Sequence, residues 1–207
     1  MIEWLHGLLP WGIQAILWVQ GFRTPFLDGF FSAATNLGSE YFYIVLMGGL
    51  YWAGNRRVGL ALAYALTVCS LYTNAMGKAW VGTPRPTPAQ VAVLAHETSP
   101  AFPSGHTQGA TVVWGYLAHV LRRPAAWAGA AVLVALVAFS RVYLGVHYPQ
   151  DLAGGFVLGA VCLTLFVAGE RWLVRRGGRL PQAAVPALTV ALPLALAFAA
   201  PDPDAVR

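Results

Sequence analysis

The chain has few charged residues, which make up 10% of its 207 residues against 57% for hydrophobic ones. A soluble domain carries about 25% charged residues, so this composition argues against a soluble globular fold. Cysteine is also scarce, because Cys69 and Cys162 are the only two and each lies inside an apolar stretch. Disulfide frameworks and zinc sites need several cysteines at loop spacings. We therefore expect two buried thiols, without a disulfide or a zinc site.

The apolar residues come in runs of membrane length. A helix needs about 20 such residues to cross the bilayer core, where the backbone must satisfy its own hydrogen bonds. Six runs have this character, and the predicted spans are residues 30–53, 58–77, 104–121, 125–145, 150–172 and 181–200. The sequence therefore predicts an all-α, polytopic membrane protein with a six-helix transmembrane core, in one domain over residues 1–207.

A further apolar stretch, residues 4–22, precedes these spans and is interrupted by Pro10. Trp4, Trp11 and Trp18 recur every seven residues and share one helical face, and tryptophan favours the membrane interface. We predict an interfacial or re-entrant helix on the non-cytoplasmic side, although a spanning helix is the alternative. The first residues lack the positive region of a signal peptide, so we expect this segment to be retained.

The cationic residues indicate the orientation in the membrane. Eight of the thirteen lie on one side if the six spans cross in turn, namely Arg56, Arg57, Arg122, Arg123, Arg171, Arg175, Arg176 and Arg179. Such a bias marks the cytoplasmic side, and its distribution between spans argues against binding of nucleic acid. The long loop 78–103 and the segment around His147 are then predicted on the non-cytoplasmic side of the cell membrane.

Three polar clusters lie on that predicted outer side, at the ends of spans. Ionisable groups at membrane depth are costly and usually functional, and cations beside histidines suit an anion such as phosphate. The candidate site residues in these clusters are Lys78, Arg85, Ser104, Gly105, His106, Arg141, His147 and Asp151. No carboxylate cluster for a metal accompanies them, so no metal ligand is predicted.

The second cluster, Pro-Ser-Gly-His at 103–106, predicts a backbone site for an anion. Ser104 precedes an uncharged run and is a natural N-cap, while Gly105 allows a ligand to come close. The free N–H groups at the start of such a helix bind phosphate well. His106 at the tip of the same helix is placed to protonate a leaving oxygen.

The third cluster predicts a nucleophile. Asp151 follows His147 by four residues, and Pro149 between them can open the helix. Asp151 can then bind one ring nitrogen of His147, which fixes its tautomer while the other nitrogen attacks phosphorus. The remaining histidines, His6, His96 and His119, lack such neighbours and are expected to be structural.

The pattern K-x6-R-P, then P-S-G-H, then S-R-x5-H-x3-D resembles the signature of the type 2 phosphatidic acid phosphatase superfamily, and every motif position is present. The resemblance implies a phosphohistidine on His147, with Asp151 orienting it and His106 acting first as acid and then as base. It implies that the phosphate is held by Lys78, Arg85, Arg141, Ser104 and the Gly105 amide, without metal or other cofactor.

The expected function is therefore that of a metal-independent membrane phosphatase. Its substrate would be a lipid phosphate monoester or pyrophosphate, of the phosphatidic acid, phosphatidylglycerol phosphate or undecaprenyl pyrophosphate class. A lipid phosphotransferase using the same phosphohistidine and a non-enzymatic lipid carrier or scramblase are the alternatives. Four aromatic residues can line the entrance for a lipid head group or form an interfacial belt, namely Trp80, Phe102, Tyr143 and Tyr148.

Overall fold

A computed structural model of the chain describes residues 3–175. Its regular elements are all helical, and no strand occurs within these residues, which confirms the all-α prediction for this part of the chain. The α-helices are α1 Glu3–Gly7, α2 Leu9–Gln20, α3 Pro25–Ala34, α4 Glu40–Trp52, α5 Arg56–Leu66, α6 Thr73–Val81, α7 Gly105–Leu121, α8 Pro124–Tyr143 and α9 Pro149–Arg175. The predicted span 181–200 lies outside the described residues.

Three helical segments are long and apolar enough to cross a membrane, namely Arg56–Val81, Pro124–Tyr143 and Pro149–Leu173. They agree with the second, fourth and fifth predicted spans to within a few residues. In the first of them a π-helical turn, Thr67–Tyr72, joins α5 to α6 without a break. The chain thus has the membrane character that its scarcity of charge predicts.

Helix α7 is the central helix and packs against α5, α8 and α9. Ten of its 17 residues are buried, and Ala110, Val112 and Val113 are fully enclosed. Its first turn is capped as predicted, because Ser104 Oγ accepts a hydrogen bond from the Thr107 amide at 3.4 Å. The helix end that carries the Pro-Ser-Gly-His cluster is therefore held rigidly inside the protein.

Helix α9 approaches α7 closely because two glycines of α9 face it. A Cβ atom on Gly155 would lie 2.5 Å from the Ser104 carbonyl oxygen, and one on Gly159 would lie 2.9 Å from the Gln108 carbonyl oxygen. Small residues four positions apart commonly bring membrane helices together. The approach lets the Ser104 amide donate to the Asp151 carbonyl oxygen at 3.0 Å, so it also joins the second polar cluster to the third.

We expect Gly155→Ala to lower the free energy of unfolding by about 1–3 kcal/mol, the usual cost of forcing an extra methyl group into a packed interface. The obstructing atom is a backbone oxygen, so α9 must move away from α7 and carry Asp151 with it. Any reaction that depends on the position of Asp151 should slow as well. Thermal unfolding in detergent and a turnover assay measure the two effects.

Gly129→Ala is the matched control, because a Cβ atom on this α8 glycine would meet nothing within 4 Å. Alanine also favours a helix over glycine, so this variant should be at least as stable as the wild type. Equal stability of the two variants would contradict the role given to the contact between α9 and α7.

The predicted span 30–53 is not one helix. The chain forms α3, a 3-10 turn at Thr35–Gly38, and then α4, which Ser39 caps by accepting a hydrogen bond from the Phe42 amide at 3.2 Å. Helix α4 has 13 residues, about 20 Å, which is shorter than the bilayer core. The turn lies against α8, where a Cβ atom on Gly38 would clash with Val137. This tertiary contact stabilises a break that the apolar pattern did not reveal.

The predicted helix 4–22 consists of α1 and α2, which are separated at Leu8. Ile16 and Val19 of α2 pack into a hydrophobic cluster with residues of the turn between α8 and α9. The remaining face is exposed, including Trp4, Trp11 and Trp18. This exposure agrees with an interfacial position, which stays a prediction.

The long loop between α6 and α7, residues 82–104, contains no α-helix, as its prolines predict. Gln20 ties the loop to α2, since its side chain donates to the Ala92 carbonyl oxygen at 2.7 Å and accepts from the Ala92 amide at 3.0 Å. The Leu94 amide donates to the Leu144 carbonyl oxygen at 2.9 Å. These bonds hold the loop over the end of the bundle where α8 ends and α9 begins.

Candidate active site

The three polar clusters meet at one cleft with a volume of about 530 Å³. Five of the eight predicted site residues line it, namely Lys78, Arg85, Gly105, His106 and His147. The other three are almost fully buried behind its wall, namely Ser104, Arg141 and Asp151. The fold therefore brings together residues that are up to 73 positions apart in the sequence (78 to 151).

His147 lies in the turn between α8 and α9, and its side chain is 1% exposed. Its Nδ1 lies 3.2 Å from Asp151 Oδ2, and the Tyr148 amide donates to the same carboxylate oxygen at 2.9 Å. Gly145 has a φ of +69° in this turn, a conformation that favours glycine. The predicted contact between His147 and Asp151 is therefore present.

The partners of His147 fix its tautomer. Its Nε2 lies 3.1 Å from Arg85 Nη1, and a guanidinium can only donate hydrogen bonds. Nε2 must then accept, which leaves the proton on Nδ1, where Asp151 accepts it. Burial lowers the pKa of His147 well below its usual value, and the positive charges of Arg85 and Arg141 lower it further. The side chain is thus a neutral imidazole with the Nε2 lone pair facing the cations.

Three cations from separate elements belong to the candidate site: Lys78 from α6, Arg85 from the long loop and Arg141 from the end of α8. Lys78 Nζ donates to Ser99 Oγ at 2.6 Å and to the Pro100 carbonyl oxygen at 2.9 Å. Arg141 is 2% exposed and donates to Thr35 Oγ1 at 2.8 Å. Fixed cations of this kind bind and neutralise phosphate oxygens.

Sequence reasoning missed Glu97, which lines the cleft and forms ion pairs with Arg141 and Arg85. It is the only acidic residue between Lys78 and Pro103. The available signal was a single carboxylate in a loop that lies between the motif of Arg85 and the motif of Arg141. Arginines beside histidines are typical of a phosphate site, and the sequence does not show that Glu97 lies within reach of them.

Asn74 and Gln108 were also missed, and they hold the start of α7 in place. Asn74 Nδ2 donates to the Pro103 carbonyl oxygen at 3.1 Å and to Gln108 Oε1 at 2.9 Å, while Gln108 Nε2 donates to the Cys69 carbonyl oxygen at 2.9 Å. Cys69 belongs to the π-helical turn, and such turns often lie at functional sites. Uncharged polar residues inside apolar runs were the available signal.

Five apolar and aromatic side chains also line the cleft and are called here its apolar end, namely Leu66, Leu71, Ala75, Tyr41 and Tyr43. The polar residues Asn36, Ser39, Glu40 and Ser70 line the cleft beside them. Leu71 and Tyr41 are also exposed on the outside of the bundle, so the cleft opens between α4 and the π-helical turn. One cleft therefore joins a cationic end to an apolar opening.

The four aromatic residues considered from the sequence do not form this opening. Tyr143 and Tyr148 are at most 2% exposed and belong to the hydrophobic cluster around Ile16. Trp80 is 59% exposed, but it does not line the cleft. The aromatic residues that do so are Tyr41 and Tyr43, which lie at the start of α4.

Residues 3–175 contain no evident set of side chains that could bind a metal ion. No group of three or more His, Cys, Asp and Glu side chains there could hold a metal ion. The two cysteines are free thiols, as expected, and Cys162 is only partly buried. Independence of metal remains a prediction for a turnover assay.

Comparison with known proteins gives consistent matches. A family model described as the PAP2 superfamily matches residues 58–175. Phosphatidylglycerophosphatase B of Bacillus subtilis is 33% identical over 156 residues, which are 69% of this chain and 75% of that protein. Lipid phosphate phosphatase delta of Arabidopsis thaliana is 29% identical over 181 residues, 79% of this chain but only 43% of the plant protein.

The fold also matches a solved structure. The crystal structure of a transmembrane PAP2-type phosphatidylglycerolphosphate phosphatase from Bacillus subtilis superposes with a TM-score of 0.72 and 27% sequence identity. The match covers 84% of this chain and 90% of that one. The matched region of the family model includes all eight candidate site residues.

Proposed function

The chain belongs to the PAP2 superfamily, and from that premise we propose that it hydrolyses a phosphate ester or pyrophosphate of a membrane lipid. The observation that carries this proposal is the cleft, in which His147 Nε2 lies beside Arg85 and Lys78 lines the same wall, while apolar side chains line another part of it. A phosphate group suits the first part, and an acyl or prenyl chain suits the second.

The proposed reaction begins with the phosphate oxygens bound by Lys78, Arg85 and Arg141 and by the amides at the start of α7. His147 Nε2 attacks phosphorus, and the bond from phosphorus to the ester oxygen, or to the bridging oxygen of a pyrophosphate, breaks. His106 protonates that oxygen, so an ester releases the lipid as an alcohol and a pyrophosphate releases it as the lipid monophosphate. Asp151 stabilises the positive charge that the imidazole acquires, as in other pairs of an orienting carboxylate with histidine.

The second half of the reaction removes the phosphate from His147. His106, now neutral, takes a proton from a water molecule, and the resulting hydroxide attacks phosphorus. The bond from phosphorus to Nε2 breaks, orthophosphate is released, and His147 returns to its starting state. Stabilisation of negative charge on the transferring group falls to the cations and to the helix end, so no step requires a metal ion.

The arginines at the far end of α9 support an orientation of the site in the membrane. The site lies where α9 begins, whereas Arg57 pairs with Glu170 near the far end of α9 at 3.4 Å. Arg122, Arg123 and Arg171 share one groove at that same far end. Because positive residues mark the cytoplasmic side, we place the site on the non-cytoplasmic side of the cell membrane.

We expect the detergent-purified protein to release orthophosphate in the presence of a chelator. The panel comprises phosphatidic acid, phosphatidylglycerol phosphate, undecaprenyl pyrophosphate, sphingosine 1-phosphate and glucose 6-phosphate. A lipid should be preferred over glucose 6-phosphate, because only a lipid can use the apolar end of the cleft. The relative named phosphatidylglycerophosphatase B makes phosphatidylglycerol phosphate the first substrate to test.

Three results would count against the proposal. Loss of activity with chelator and recovery with a divalent cation would show metal dependence. Preference for glucose 6-phosphate would exclude a lipid site. Phosphate that passes to an added lipid alcohol in place of water would identify a phosphotransferase.

A further inference from the structure

One short segment of the long loop, Glu97–Pro100, binds all three cations of the cleft. Lys78 contacts Ser99 and Pro100, Arg85 contacts all three of Glu97, Ser99 and Pro100, and Arg141 contacts Glu97. Glu97 contributes the only negative charge of this segment. The oxygen atoms of the segment thus bind the groups that the proposed function assigns to phosphate.

Arg85 shows most clearly that the segment and a phosphate group need the same hydrogen-bond donors. A guanidinium has five N–H groups, and Arg85 has five partner atoms apart from Glu97. Ser99 and Pro100 provide three of these atoms, at 2.6–3.4 Å, and the others are the Val146 carbonyl oxygen and His147 Nε2. Arg85 can therefore bind a phosphate oxygen only by releasing one of these partners. Attack by His147 Nε2 on phosphorus frees one N–H of Arg85, and any further contact with phosphate requires release of part of the segment.

Arg141, which is 2% exposed, is only partly occupied, because its buried Nε has no hydrogen-bond partner among the described residues. Its Nη2 donates to Glu97 and its Nη1 to Thr35. A phosphate dianion that reaches Nη2 meets the Glu97 carboxylate at the same atom, and two like charges in one site repel each other. Glu97 is 24% exposed and lies outside the helices, so its side chain has a route out towards solvent.

We propose that Glu97 is an internal competitor of phosphate that sets the affinity of the cleft for phosphate groups; this inference rests on the proposed function. A tethered group competes at a high effective concentration, commonly millimolar or above. The competition weakens binding of every phosphate group. A lipid substrate offsets this loss through the apolar end of the cleft, whereas orthophosphate has no such contacts and leaves. Glu97 therefore favours release of the product.

Glu97→Gln tests this role, because it removes the charge and keeps the shape. The inhibition constant of orthophosphate should fall about tenfold, the size of effect that one charge-assisted contact commonly has. Product formation is followed as dephosphorylated lipid, so that added orthophosphate does not disturb the assay. Glu170→Gln is the matched control, since Glu170 pairs with Arg57 at the opposite end of the bundle, and its inhibition constant should equal that of the wild type.

An unchanged or higher inhibition constant in Glu97→Gln would overturn the proposal, and a higher one would show that Glu97 positions Arg141 for phosphate. Stabilisation of each protein by orthophosphate in thermal unfolding reports binding without turnover. If neither protein hydrolyses a lipid phosphate but Glu97→Gln binds orthophosphate more tightly than the wild type, the proposed function is refuted. The role of Glu97 as a competitor of phosphate is then still supported.

Hydrogen exchange of the wild-type protein gives a second test that needs no substitution. Saturating orthophosphate should speed exchange of the amides of residues 97–99, because their segment loses its contacts with the cations. Slower or unchanged exchange in this segment, while orthophosphate stabilises the protein, would contradict the displacement.

Discussion

Replacement of His147 by alanine should reduce lipid phosphate hydrolysis by about 10⁴-fold or more, because loss of the nucleophile removes the covalent route as a whole. In the structure Nε2 carries the only lone pair of the imidazole, since Nδ1 is bound to Asp151. Brief incubation of the wild type with radiolabelled lipid phosphate should also give a phosphoenzyme that is labile in acid and stable in base, and the variant should give none.

His147 is buried against Asp151, so alanine leaves a carboxylate without its partner and can destabilise the fold. His147→Asn keeps a side chain that can donate to Asp151, and it should be equally inactive while remaining folded. His119→Ala is the matched control, because His119 lines the groove at the opposite end of the bundle. Full activity of a folded His147→Asn protein would refute the phosphohistidine mechanism.

Asp151→Asn should lower kcat by about 10²–10⁴-fold, within the range found for carboxylates that support a catalytic histidine. One oxygen, Oδ2, accepts from both His147 Nδ1 and the Tyr148 amide. The amide oxygen of asparagine can take over both bonds, so the orientation of the ring is kept and mainly the negative charge is lost. The variant therefore measures how much that charge stabilises the phosphorylated imidazole.

Kinetic constants separate this effect from misfolding. KM should change little in Asp151→Asn, because Asp151 lies behind the wall of the cleft and does not line it. Asp28→Asn is the control, since this carboxylate pairs with Arg23 outside the site. A large rise in KM with kcat preserved would assign Asp151 to phosphate binding and contradict its role as the partner of His147.

The site could be predicted from the sequence where its geometry is local. Ser104 caps α7 because it precedes an uncharged run, and Asp151 meets His147 because a four-residue spacing at a helix start permits that contact. The meeting of the three clusters could be expected because alternate spans return to the same side of a membrane. These contacts depend on short-range stereochemistry and on the bilayer.

The contacts that were not predicted depend on tertiary packing. The break before α4 packs Gly38 against Val137, which lies in α8. Asn36, Gly38 and the N-cap Ser39 were local signals of a turn, but the apolar residues on both sides favoured one long span. Glu97 reaches Arg141 because Gln20 and Leu144 hold the long loop over the bundle. The apolar pattern of a sequence indicates which residues are shielded from water, but it does not indicate which loop packs over a site.

The length of α9 has a consequence for how the protein meets its substrate. From Asp151 to Arg171 the helix rises about 30 Å, which equals the thickness of the bilayer core. Under the proposed function, His147 therefore lies at the level of one layer of head groups, and the other layer is a full hydrocarbon thickness away. The protein then acts on a single leaflet, and a lipid phosphate made in the opposite leaflet reaches it only after being flipped across.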